Sequence, residues 1–85
     1  MNYVYVIRCK DNTLYTGWTN DLEKRFKAHC CGKGAKYTRG RGPLELVYYE
    51  TYAEKKAAMK REYALKKLTK EEKEKLIKGF INFND

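Results

Sequence analysis

The 85 residues are enough for one small domain around one core. Nineteen Lys and Arg against 11 Asp and Glu give a net charge of +8, which favours a polyanionic partner, nucleic acid first and an acidic membrane surface second. No apolar run approaches the roughly 20 residues that span a bilayer, and Arg8 interrupts the N-terminal run too early for a signal peptide. A soluble, cytoplasmic chain with no membrane role is expected. Its three cysteines are an odd count, and Cys30 and Cys31 are adjacent, which does not suit a disulfide framework. His29-Cys30-Cys31 lacks the second ligand pair of a structural zinc site, so reduced thiols are expected instead.

Asn2 to Cys9 reads as a strand apolar on both faces, with Tyr3, Tyr5, Ile7 and Cys9 on one side and Val4 and Val6 on the other. Such a strand belongs in the middle of a sheet. Lys10 to Thr13 supplies a turn, because Asp and Asn bond their own backbone and tolerate left-handed conformations. Leu14 to Trp18 returns as an antiparallel partner. Gly17 within it marks either a bulge or a close approach by another group.

Asn20 and Glu23 form a capping-box pattern that opens a helix. On that helix Leu22, Phe26 and His29 share a face expected to pack on the sheet, with Arg25 at its border. From Lys24 to Leu44 there are seven Lys or Arg and no acidic residue. The glycine-rich part, Cys31 to Pro43, reads as a mobile basic loop that opposes helix and strand alike. Leu44 to Thr51 alternates as a third strand, with Leu44, Leu46, Tyr48 and Glu50 facing opposite to Glu45, Val47 and Tyr49.

Thr51 and Glu54 suggest a second capping box and a helix to about Leu68, with Ala57, Ala58, Ala64, Leu65 and Leu68 as its apolar stripe. Arg61 falls inside that stripe and Glu62 at its edge. Thr69 and Glu72 form a third box, opening a short helix that places Leu76 and Ile77 in the core and stops at Gly79, with Phe80 to Asp85 as a tail. The predicted architecture is a single α+β domain over residues 1–85, a small three-stranded antiparallel sheet packed by helices in the order β-β-α-β-α-α.

Tyr3-Val4-Tyr5, Tyr15-Thr16-Gly17, Arg25, His29 and the late Glu62 together resemble the GIY-YIG nuclease superfamily in order, spacing and element placement. The resemblance covers nearly the whole chain. It is closest in size to small stand-alone bacterial members, and similar to the N-terminal nuclease module of UvrC. Tyr3 and Thr16 depart from the tripeptides that name the family, and Trp18 stands where UvrC-like modules carry a lysine. The resemblance implies metal-dependent hydrolysis of DNA phosphodiester bonds by an endonuclease-like enzyme, in a setting of DNA repair or recombination. A catalytically inactive nucleic-acid-binding module on the same fold is the alternative.

The residue types suit that chemistry. Hydrolysis needs a base for water, charge relief on the phosphate oxygens and help for the leaving oxygen. Glu62 can hold one Mg²⁺ or Mn²⁺, since such ions take one or two carboxylates plus substrate phosphate. Arg25 offers a planar fork to phosphate. Tyr5 is favoured as base with His29 accepting its proton, and Tyr15 as the holder of a phosphate or the water network; the sequence does not fix which tyrosine is the base. Each residue also has a plainer role: strand tyrosines pack with a wet tip, a lone histidine sits satisfied at a core boundary, Arg25 snorkels, and Arg61 pairs with Glu62 on the helix surface. Lys33, Lys36, Arg39 and Arg41 around Tyr37 fit a segment that grips a DNA backbone without reading bases, while solubility is the bland reading of the same charges. With no reader module in view, weak intrinsic targeting is expected, and whether a partner protein supplies targeting is left open by the sequence.

Overall fold

The structure, a computed structural model, describes residues 1–84 and the side chains of residues 1–80. Strands β1 (Asn2–Arg8) and β2 (Leu14–Thr19), helix α1 (Leu22–Cys30), strand β3 (Glu45–Tyr52) and helices α2 (Lys55–Lys66) and α3 (Lys70–Asn84) follow in the predicted order. A 3₁₀ turn at Lys36–Thr38 falls between α1 and β3. The sheet order is β2-β1-β3, antiparallel on both sides of β1, so the doubly apolar strand is central. The β1–β2 turn uses Asn12 at a φ of 68°, with the Asp11 carboxylate accepting from the Thr13 N–H at 3.2 Å.

Alternation on β1 divides the chemistry between the two faces. Val4 and Val6 join Val47, Tyr48, Ala58, Leu65 and Ile77 in the buried cluster under α2 and α3. Trp18 and Leu14, opposite Val4 and Arg8, pack against the same cluster. Tyr3, Tyr5 and Ile7 occupy the other face, on which α1 places His29.

Several local expectations are corrected. Asp21, not Asn20, caps α1 and accepts from the Lys24 N–H at 3.2 Å, because Thr19 is still paired with Tyr3 and the chain leaves the sheet one residue later. A carboxylate there also complements the helix dipole. Leu22 and Phe26 are half-buried, and with Tyr3, Leu46 and Tyr49 of the sheet they line a cleft of about 550 Å³. Thr51 makes no capping box with Glu54, because it is held in β3 opposite Tyr3, and Glu54 itself becomes the cap residue.

The even alternation of β3 fails at Val47. The register passes from Val6↔Tyr48 to Ile7↔Leu46, and this bulge lets both Val47 and Tyr48 into the core. Ala57 and Ala64 are exposed, which leaves Ala58 and Leu65 as the buried contacts of α2, with Leu68 partly buried. The Thr69–Glu72 box does form, with reciprocal bonds of 2.9 and 3.1 Å. However, α3 runs on through Gly79 to Asn84. Phe80, 5.2 Å from the Tyr48 ring and 5.3 Å from that of Tyr49, ties the segment beyond the glycine to the sheet and offsets its cost of about 1 kcal/mol. Asp85, assigned to the tail, lies outside the described residues.

Arg61 pairs with Glu50, not Glu62. Its Nε donates to Glu50 Oε1 at 3.0 Å and its Nη2 to Oε2 at 3.1 Å, while the Tyr48 and Tyr52 hydroxyls donate to the same carboxylate. Burial, then the Glu50 carboxylate, pushes Tyr48 up to about 12. Burial opposes ionisation of Glu50 itself, but the Arg61 and tyrosine hydrogen bonds outweigh it and hold the carboxyl below its ordinary value. The stabilisation from Glu50 is therefore complete above the ordinary glutamate range and is lost as pH falls through the lower folded value. Glu50→Gln should be less stable than the native protein at pH 7, with the gap closing in acid; urea titrations across pH would show it, and a pH-independent gap would contradict it.

Candidate active site

Tyr5 and Tyr15 reach one side of the sheet because Tyr5 pairs with Gly17 and Ile7 with Tyr15, so all four share a face. Their rings are 6.4 Å apart. His29, in the last turn of α1, is 1% exposed and completes the group, with ring centroids 5.7 Å from Tyr5 and 5.3 Å from Tyr15. The Tyr5 hydroxyl lies 2.9 Å from His29 Nε2.

Gly17 belongs to this contact, not to a bulge, since the β1–β2 register runs through it unbroken. A Cβ at Gly17 would stand 2.5 Å from the Tyr5 hydroxyl oxygen and 2.7 Å from its Cζ. Tyr5 is 1% exposed and has no room to retreat. The glycine is the floor on which the phenol rests.

Arg25 and Glu62 both act electrostatically on the Tyr5 phenol. Burial raises the Tyr5 phenol above its ordinary value; the Arg25 guanidinium pulls it down, while Tyr15 and the Glu62 carboxylate push it further up. Burial, then the Arg25 charge, lowers His29, so its imidazole is neutral at pH 7. Among the described residues Arg25 has no carboxylate in ion-pair range. Glu62 is half-buried on the inner side of α2, at helical spacing between Ala58 and Leu65, and meets Lys66 Nζ at 3.6 Å. Trp18 pairs with Val4 and packs in the core, so the slot after Gly17 supplies no polar group to the Tyr5 face.

The basic loop is tied down, contrary to its composition. Lys10 N–H bonds the Arg41 carbonyl at 2.8 Å, and Thr38 in the 3₁₀ turn is buried. Tyr37 stacks on Tyr15 with centroids 5.8 Å apart, so loop and site are continuous. Arg41 lies 4.4 Å over Tyr37 and pairs with Asp11 at 2.5 Å, whereas Lys33, Lys36 and Arg39 are exposed. Three residues that sequence reasoning passed over hold the histidine. Thr38 Oγ1 is 2.8 Å from His29 Nδ1, the Ala35 N–H approaches the same nitrogen at 3.4 Å, and Gly34 lies flat against the ring.

Residues 1–75 match the model of the GIY-YIG catalytic domain. The chain belongs to the GIY-YIG family. A UPF0213 protein of Clostridium perfringens is 64% identical over 77 residues, 91% of this chain and 83% of that one. A second UPF0213 protein, from Oceanobacillus iheyensis, is 55% identical over 76 residues, 89% of this chain and 88% of its own. The solution NMR structure of a UPF0213 protein from Bacillus halodurans superposes with a TM-score of 0.59 at 51% identity, covering 92% of this chain and 84% of that one. Another, of a protein from E. faecalis, gives 0.62 at 40% identity over 93% and 84%. The matched GIY-YIG segment contains Tyr5, Tyr15, Gly17, Arg25, His29 and Glu62.

Gly17→Ala should cost about 1–3 kcal/mol in chemical denaturation, the usual range for overpacking a filled site, and should shift the Tyr5 ring resonances. A variant of native stability with an unmoved Tyr5 would refute the close approach.

Proposed function

We propose that this chain hydrolyses phosphodiester bonds in DNA, with Tyr5 as the base and His29 as the acceptor of its proton. The 2.9 Å contact between the Tyr5 hydroxyl and His29 Nε2, on which Arg25 also acts, carries the reading. At neutral pH both partners are uncharged, as burial requires. Tyr5 passes its proton to Nε2 as it takes one from water. The resulting hydroxide attacks phosphorus, the bond to the leaving oxygen breaks, and that oxygen leaves as an alkoxide that takes its proton from solvent water. His29 then carries the positive charge, which the incoming phosphate stabilises. Arg25 presents its fork to the phosphate oxygens, and Tyr15 orients the phosphate or the attacking water.

Family membership supports a divalent ion, and Glu62 fits one: a half-buried carboxylate that shares the electrostatic surroundings of Tyr5. Among the described residues no group of three or more His, Cys, Asp and Glu side chains could hold a metal. Glu62 would thus bind Mg²⁺ or Mn²⁺ together with substrate phosphate. When bound, the ion supplies charge relief to the phosphate and its leaving oxygen. Lys33, Lys36 and Arg39 suit contacts to the DNA backbone, with Tyr37 and Arg41 shaping the loop that presents them. No helix among the described residues is long and apolar enough to cross a membrane.

Branched, nicked and plain DNA incubated in Mg²⁺ or Mn²⁺ should be cut by the native protein. Glu62→Ala should lose about 100-fold or more in cleavage while still binding. Arg25→Ala should lose more in turnover than in affinity; equal losses would make it a binding residue. Binding without cutting by the native protein on every substrate would identify an inactive binding module instead.

A further inference from the structure

Thr38 sits in a stretch of glycine, lysine and arginine where a hydroxyl residue has no evident work. Yet it is 2% exposed, and its oxygen touches His29. A threonine hydroxyl has one proton to give. The Ala35 carbonyl, 3.0 Å away, can only accept, so the proton is assigned to it, beside the Thr38 N–H that the same oxygen accepts at 3.1 Å. The hydroxyl oxygen then meets His29 Nδ1, at 2.8 Å, with a lone pair, and that nitrogen must carry the hydrogen. The Ala35 N–H, at 3.4 Å from Nδ1, asks for the opposite arrangement, but it is at the limit of hydrogen bonding and the two shorter contacts outweigh it.

We propose that Thr38 is a positioning residue that keeps the His29 proton on Nδ1, so that Nε2 faces Tyr5 bare and ready to accept. The catalytic consequence rests on the nuclease reading above; the tautomer does not. Gly34 makes the arrangement possible. A Cβ there would stand 2.3 Å from Nδ1 and 2.6 Å from Cγ of His29, so only a glycine backbone can lie against the ring and bring the Thr38 turn over it. The hydroxyl thus plays the part that a carboxylate or carbonyl plays for other histidines whose second nitrogen does chemistry.

His29 is the single histidine of the chain, so a ¹⁵N-histidine NMR spectrum reports this ring alone. In the native protein at neutral pH the protonated signal should belong to Nδ1 and the bare one to Nε2; the reverse pattern overturns the proposal whether or not the protein cuts DNA. Thr38→Val keeps the shape and removes the hydroxyl, leaving the Ala35 N–H to face Nδ1, so the proton should move to Nε2. Single-turnover cleavage should fall about 10-fold or more, within what positioned proton transfer contributes, with DNA binding unchanged. Thr38→Ser should restore both the spectrum and the rate. An unshifted tautomer and native rate in Thr38→Val would overturn it. If that variant does not fold, the native spectrum and the serine variant decide. A native protein that shows the expected spectrum but cuts nothing would sink the nuclease reading and leave the tautomer assignment standing.

Discussion

The site depends on one contact: the Tyr5 hydroxyl resting on the bare Cα of Gly17 and meeting His29 Nε2 at 2.9 Å. Everything around it serves to hold that oxygen in place. The central strand carries Tyr5, the neighbouring strand supplies the glycine opposite it, and α1 delivers the imidazole. The Val4–Val6 face, buried under α2 and α3, fixes which way β1 turns its tyrosines, since a slip of one residue would send Tyr5 into the core. Packing on one face thus sets chemistry on the other.

Burial gives the pair its character. A phenol and an imidazole both uncharged at pH 7 are what a dry site tolerates, and the bond between them, with the Thr38 hydroxyl on Nδ1, satisfies them without an ion. Arg25 brings a charge without a carboxylate partner among the described residues, which suits a group waiting for an anion. Glu62 brings the opposite charge from a different helix. It is half-buried and meets Lys66, when most acidic residues here are exposed.

Period-two alternation and a doubly apolar first strand made the sheet, its central strand and the Tyr5–Tyr15 face legible in the sequence, because those features are local and dictated by burial. Gly17 was legible as an anomaly and needed coordinates to say which anomaly. Glu62 stands out only through its place in the ordered motif, since helical spacing puts it at the edge of the apolar stripe. What stayed hidden depends on contacts across the chain. The bulge at Val47 answers to β1, Thr51 is drawn from its cap by pairing with Tyr3, and Arg61 chooses Glu50 over its neighbour. Thr38 and Gly34 were invisible because glycine-rich basic composition reads as a loose loop, and nothing local says that His29 lies beneath it.

The most direct test removes one oxygen. Tyr5→Phe keeps the ring over Gly17 and loses the hydroxyl that faces His29. Single-turnover cleavage by this variant should fall to background while DNA affinity stays near native and stability drops by about 1–3 kcal/mol, the cost of leaving buried Nε2 unpaired. Cutting at the native rate would mean that another group activates the water and that the Tyr5–His29 pair is only packing.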